Sequence, residues 1–560
     1  MSTTDPQALA ETSDRFGAYP RLSGDQMDSL AAYAQRRRVQ PGELLFRDGD
    51  PSCDFYVILA GKVAVVDGYG TPEERIVSVH GPGRFLGELS LLTGEAVFLS
   101  SLVIEPGEVL VVPTGRLREL VTRDQTVGDL ILRAYLIRRS ILIGLGAGMR
   151  IIGSRYSPDA RRLRDFAARN RLPHRWIDLE EDAGAEALLR RLGVTPEDTP
   201  AVILHGTQLL RNPSNAALAR ALGLHAPSPQ EAVSDLIVIG AGPAGLAAAV
   251  YAASEGLTTA ALDAVATGGQ AGTSPRIENY LGFPAGISGA ELADRAAIQA
   301  RKFGAHITVP GTATALHQCD GYCVVTLEDG STICGRTALI ATGARYRKLG
   351  AARLDEFEGT SVYYAATQTE VQSCRGDQVS VVGGGNSAGQ ASLALAQHAA
   401  NVRLLVRGGD LGEHMSRYLV NQIEHDPRIE VMLHTEVREL AGDAGRLRAL
   451  VVEDNRTGEQ RLVEAVALFV FIGAAPCTDW LRDEVALDDD GFVRTGTDAP
   501  RQAPGDDAPG GGGQPRTLET SRQGIFAVGD VRSGSIKRVA SAVGEGAMAV
   551  RLVHERMRFG

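Results

Sequence analysis

Two apolar strands in this chain each run into a glycine-rich turn that opens a small-residue helix. The first is Asp235-Leu-Ile-Val-Ile-Gly-Ala-Gly-Pro-Ala-Gly245, and the second is Val379-Ser-Val-Val-Gly-Gly-Gly-Asn-Ser-Ala388. One such turn constrains little. Two, about a domain apart and each followed by another apolar strand, commit the chain to two dinucleotide-binding α/β units. Gly240 and Gly383 allow the tight turn out of the strand. Gly242 and Gly385 let the backbone approach a pyrophosphate at a helix N-terminus, where free N–H groups point outward. Gly245 and Ala388 let helix and strand pack closely. Pro243 and Ala244 complete the first candidate cradle, and Asn386 and Ser387 the second.

The strand after each helix distinguishes the ligands. Thr258–Asp263 ends in an acid, at about the distance expected of a ribose-hydroxyl ligand. Val402–Arg407 ends instead in Arg407. An acid would repel a 2′-phosphate, whereas arginine pairs with one bidentately. Arg417, in Met415-Ser-Arg-Tyr418, is a candidate second cation. FAD is therefore expected at the first site and NADPH, in preference to NADH, at the second. A chain that holds both is arranged for hydride transfer from a pyridine nucleotide to a flavin.

Over about residues 233–560 the remaining motifs resemble the low-molecular-weight thioredoxin reductases. Gly268-Gly-Gln270 and Arg276-Ile-Glu-Asn279 are similar to that family's segments on the isoalloxazine side, which implies roles for Gly269, Gln270 and Asn279. Ala341-Thr342-Gly343 is similar to its return strand. Gly524-Ile-Phe-Ala-Val-Gly529-Asp530 resembles the strand whose aspartate meets the ribityl chain and pyrophosphate. Arg538-Val539-Ala540 matches the family's Arg-x-Ala beside the flavin. The resemblance implies an NADPH domain, about 349–474, inserted into an FAD domain split between 233–348 and 475–560. It also implies a homodimer.

The likeness breaks at the chemistry. The family carries Cys-Ala-Thr-Cys before its NADPH domain, and here Ala365 and Gln368 stand where those cysteines would be. Neither can attack a disulfide. Cys374 is alone, and Cys477 follows Phe471-Ile-Gly-Ala-Ala-Pro476. Cys319 and Cys323 fall in an expected hairpin, as ordinary strand thiols. No catalytic residue is assigned. The electron acceptor is expected to be a small molecule or a small redox protein, with two alternatives: a thioredoxin-disulfide reductase that uses a non-standard thiol, or a nucleotide- or redox-sensing regulator with little turnover. Ferredoxin–NADP reductases of similar sequence also lack the cysteine pair but usually carry a C-terminal aromatic extension, for which Phe559 is a poor substitute.

Residues 18–145 resemble a cyclic-nucleotide-binding domain, a β-roll built from short strands bounded by Gly and Asp. Gly83-Arg-Phe-Leu-Gly87-Glu88-Leu89 is similar to the start of its phosphate-binding cassette, whose Glu meets the ribose. The arginine that pairs the cyclic phosphate in that family has no counterpart in Ala96–Ser101, so a degenerate domain or another ligand is favoured. Residues about 114–145 are expected to be one helix, with Leu130–Ile137 suited to a partner interface. Residues 149–224 alternate strand and helix and resemble a thioredoxin/glutaredoxin-like domain without its cysteines, with Thr199-Pro200 at the cis-proline position. The fold class is thus multidomain: a β-roll, a small α/β thioredoxin-like unit and two Rossmann-like three-layer units.

A chain of 560 residues with 44% hydrophobic content accommodates these cores. A net charge of −11 and no strongly basic stretch argue against nucleic acid. Six cysteines without a pairing pattern point to a reducing, cytoplasmic setting. Met1-Ser-Thr-Thr-Asp-Pro6 lacks the basic and apolar regions of a signal peptide. Leu236–Ser254 is uncharged, but its glycine turn marks a strand plus a buried helix, so no membrane partner is expected. No metal site is expected. Ala226–Glu231 is the expected linker and 499–517 an expected surface insertion.

Overall fold

The computed structural model describes residues 9–89, 96–154, 157–182, 184–224, 233–274, 277, 280–358, 360–364, 366, 374–443, 446–481, 484–500 and 515–559. The expected linker, most of the 499–517 insertion, Asn279, Ala365 and Gln368 lie outside the described residues.

The N-terminal unit is a six-stranded antiparallel roll dominated by two long strands, Phe55–Asp67 and Ser100–Val112. Alternation along them points Phe55, Val57 and Leu110 into one core, and Tyr56, Ile58 and Val109 into another. The expected single helix is two, Thr114–Arg123 and Gln125–Gly144. Asp124 breaks it, because its backbone is extended and its carboxylate accepts from the Thr126 and Val127 amides. The face expected to meet a partner is covered within the chain: Ile131, Ala134, Tyr135 and Leu136 are all buried.

The middle unit has four strands in the order Gln208–Arg211, Ala201–Leu204, Met149–Gly153, His174–Asp178. The last pair is parallel and the others antiparallel, a thioredoxin-like arrangement. The Thr199–Pro200 bond is cis. Contacts run from this unit in both directions. His205 pairs with Asp48 of the roll at 2.5 Å, and Arg150 pairs with Glu73. On the other side Arg171 pairs with Asp294 at 2.9 Å.

The first glycine-turn unit is a seven-stranded sheet with Ser234–Ile239 at its centre, parallel to Thr259–Leu262 and to Thr332–Ile340. The second is a five-stranded parallel sheet with Gln378–Val382 at its centre, joined by a three-stranded antiparallel sheet. The chain crosses between them through Ala344–Tyr346 and returns through Ala474–Pro476, and these two segments pair antiparallel. The uncharged stretch from Leu236 falls in the strand Ser234–Ile239 and the helix Pro243–Ser254. No helix among the described residues is long and apolar enough to cross a membrane.

Candidate active site

The first cradle is assembled from four distant segments because its residues are too small to keep them apart. Gly240 has φ +106°, and a Cβ there would lie 2.3 Å from the Ala341 carbonyl oxygen. A Cβ on Gly245 would lie 1.8 Å from the Gly240 oxygen. Gly269, at φ +53°, rests against the Gly242 backbone, and Gly529 rests against the Ala244 methyl. Ala244 is in turn crossed by Gly546 of the long final helix Val539–Phe559.

Gly242 differs from these. A Cβ there would meet only the Gly269 Cα, at 3.8 Å, and the helix it begins has no side-chain cap. Open space before uncapped N–H groups suits an anionic pyrophosphate. Gly343 also faces open space, with φ +70°. These features fit a bound dinucleotide.

Asp263 follows the strand Thr259–Leu262. Its carboxylate accepts from the amides of Ala241, Val265 and Ala266 at 2.9–3.1 Å. It therefore shapes the glycine turn. Asp530 is partly buried, and burial raises its carboxyl pKa, a shift that Lys537 opposes and Glu545 reinforces. Thr342 Oγ1 donates to the Cys477 carbonyl at 2.9 Å, and the Cys477 amide donates to Gly343, joining the return strand to the re-entering segment. Gln270 and Ala540 are exposed, and Val539 begins the final helix, with exposed Arg538 just before it.

The second cradle repeats the plan. Gly383 has φ +145°, and a Cβ would lie 2.3 Å from the Phe471 oxygen. Gly385 begins the helix Asn386–Ala396, again with no side-chain cap. Ser387 is exposed and Ala388 buried at its first turn. Asn386 Oδ1 accepts from the Ser416 amide at 2.7 Å, which draws the start of the helix Arg417–His425 to the turn. Arg417 is the first residue of that helix, and Arg407 lies two residues past the strand Asn401–Leu405. Both are exposed and form no ion pair among the described residues.

None of the six cysteines forms a disulfide. Cys374 is buried in the apolar core of the second unit, and burial pushes the Cys477 thiol pKa up. Burial also lifts Cys323, to about 11, and in the hairpin it faces Gln318 rather than Cys319. Tyr364, which precedes Ala365 in sequence, stacks on Tyr346 with ring centres 5.9 Å apart. Among the described residues no group of His, Cys, Asp and Glu could hold a metal ion.

Sequence reasoning missed Glu545 and Arg138. Glu545 accepts from the Gly529 amide at 2.7 Å and from Arg532 at 2.5 Å, holding the turn before Asp530. Its signal is an acid within a small-residue helix. In the roll, Glu88 is buried and paired at 2.7 Å with Arg138, while Gly87 and Leu89 line the same cavity. The adjacent arginines 138 and 139 interrupt an apolar helical run, which marks them for interior partners.

Two glycine cradles, each at the end of a strand flanked by parallel neighbours and joined by a two-stranded crossover, define a two-dinucleotide oxidoreductase. Residues 234–546 match the family described as pyridine nucleotide-disulphide oxidoreductase, and the chain belongs to it. Residues 36–124 match the cyclic nucleotide-binding domain. A thioredoxin reductase of Treponema pallidum is 33% identical over 315 residues, 56% of this chain and 94% of that protein. A "34.2 kDa protein in rubredoxin operon" of Clostridium pasteurianum is 29% identical over 58% of this chain and 98% of its own length. A solved thioredoxin reductase of Streptococcus pyogenes is 30% identical over 59% of this chain and 99% of its own, with a TM-score of 0.49. Thioredoxin reductases use FAD and NADPH.

Proposed function

We propose that this chain oxidises NADPH and delivers two electrons, by way of FAD, to an acceptor that meets the flavin directly. The acceptor is a small molecule, such as a quinone or oxygen, or a small redox protein. FAD lies in the cradle of Gly240, Gly242, Gly245, Gly269 and Gly529, with Asp263, Asp530 and Arg538 at its polar groups. NADPH lies at Gly383–Ala388, with Arg407 and Arg417 toward the 2′-phosphate. Bound together, the cofactors supply hydride transfer from nicotinamide to flavin. The chain's own part is to hold the two pyrophosphates on uncapped helix N-termini and to orient the rings through the two-stranded crossover.

One observation carries this reading: Ala365 and Gln368 replace both family thiols. Electrons then have no dithiol in the family's usual position to pass through, and this reading makes the flavin their exit. A cytoplasmic homodimer belongs to the same reading, and sedimentation as a monomer would remove the dimer from it. The decisive assay follows NADPH oxidation by purified protein with quinone, oxygen, dye and disulfide acceptors. Turnover with a quinone, oxygen or dye is expected, with thioredoxin reduction slow or absent. Robust thioredoxin reduction that is lost in Cys374→Ser or Cys477→Ser would overturn the proposal. So would the lack of turnover with every acceptor, which would favour a sensor.

A further inference from the structure

The N-terminal roll encloses a cavity that the redox chemistry does not use. Its volume is ≈ 60 Å³, several times the space a single water needs. Most of its wall is apolar, including Phe46, Leu86 and Phe98. Glu88, Arg138 and His80 also line it.

These three side chains are built in rather than placed at a surface. Glu88 and His80 are each 1% exposed, and Arg138 is 5% exposed. Arg138 comes from the helix Gln125–Gly144, and its Nη1 donates to Glu88 Oε1 at 2.7 Å. Its Nε also donates to the Ala18 carbonyl at 2.6 Å, and the guanidinium lies over the Phe85 ring at 4.7 Å. The guanidinium is therefore fixed. Yet each residue keeps one buried polar atom without a hydrogen-bond partner among the described residues: Glu88 Oε2, Arg138 Nη2 and His80 Nδ1. Such atoms are costly unless something meets them. An unmet acceptor and an unmet donor belong to one fixed ion pair beside an apolar wall.

The charge balance narrows what can meet them. Glu88 cancels Arg138. Burial, with Arg138 and Arg84 nearby, holds the His80 imidazole well below its ordinary pKa, so it is neutral at physiological pH. An entering phosphate or carboxylate would carry a buried charge, and among the described residues that line the cavity the cation, Arg138, is already paired with Glu88. The likeness of Gly83–Leu89 to a phosphate-binding cassette makes a cyclic nucleotide the rival occupant, and that charge argument disfavours it.

We propose that this cavity binds a neutral, mainly apolar small molecule whose one polar head, an amide or hydroxyl, accepts from Arg138 and donates to Glu88. The test uses the full chain and isothermal titration with three probes: propionamide, small enough for a cavity of this size, its anionic isostere propionate, and cyclic AMP. Propionamide binds, and propionate and cyclic AMP bind at least about tenfold more weakly. Arg138→Met removes the donor and weakens propionamide about tenfold or more. Glu88→Gln leaves the Arg138 charge unbalanced and moves the preference toward propionate. The wild-type comparison decides the matter even if neither variant folds. Propionate or cyclic AMP binding more tightly than propionamide to the wild-type protein would overturn the proposal, as would no binding of propionamide.

Discussion

A methyl group has opposite meanings at two glycines of one turn. At Gly240 it meets the Ala341 oxygen at 2.3 Å on a backbone at φ +106°. Gly240→Ala should strain the apoprotein by about 1–3 kcal/mol and lower its melting temperature. At Gly242 the methyl has room, so Gly242→Ala should melt like the wild-type apoprotein but fail to retain FAD on gel filtration. Equal melting losses in both would assign Gly242 to packing alone. Arg407 offers a parallel separation. It is exposed and unpaired among the described residues, so Arg407→Glu should leave folding intact. The variant should raise KM for NADPH about tenfold or more while leaving NADH little changed. Equal losses with both nucleotides would remove Arg407 from cofactor choice.

At the scale of elements, Asp124 divides two helices by capping the second. Asp124→Ala should cost about 1 kcal/mol locally, seen as roughly fivefold faster hydrogen exchange at the Thr126 and Val127 amides. Unchanged exchange would show that packing alone holds that helix start. This cap was not legible, because an aspartate between two amphipathic stretches looks like a surface charge on one continuous helix. The glycine turns were legible because strand, turn and helix follow one another locally, although the oxygens that Gly240 and Gly383 face, on Ala341 and Phe471, come from far along the chain. Gln208–Arg211 went unread as a strand: it has four residues, polar at both ends, and gains its identity only by pairing with Ala201–Leu204. Glu88 was nominated from its motif, but its partner Arg138 lies 50 residues on. Periodicity does not report which turn of a helix meets which strand. A separation of 16 residues likewise hid Glu545 from Gly529.

The whole molecule is held together through the middle unit. Arg139, in the helix that closes the roll, donates to the carbonyls of Asn170 and Arg171 at 3.1–3.2 Å. The Asn170 side chain then donates to the Val265 carbonyl at 3.0 Å, two residues past Asp263, and Arg171 pairs with Asp294. Arg171→Ala should open this junction, with faster limited proteolysis between the middle and flavin units. Cleavage indistinguishable from wild type would show that the pair contributes nothing to docking. The Asn170 contact also makes the loop that Asp263 organises a shared possession of two units. Linkage between such sites is symmetric. By whatever factor an occupant of the N-terminal cavity alters the hold on FAD through this junction, FAD alters the hold on that occupant by the same factor, so flavin loading and ligand sensing would be two measurements of one free energy.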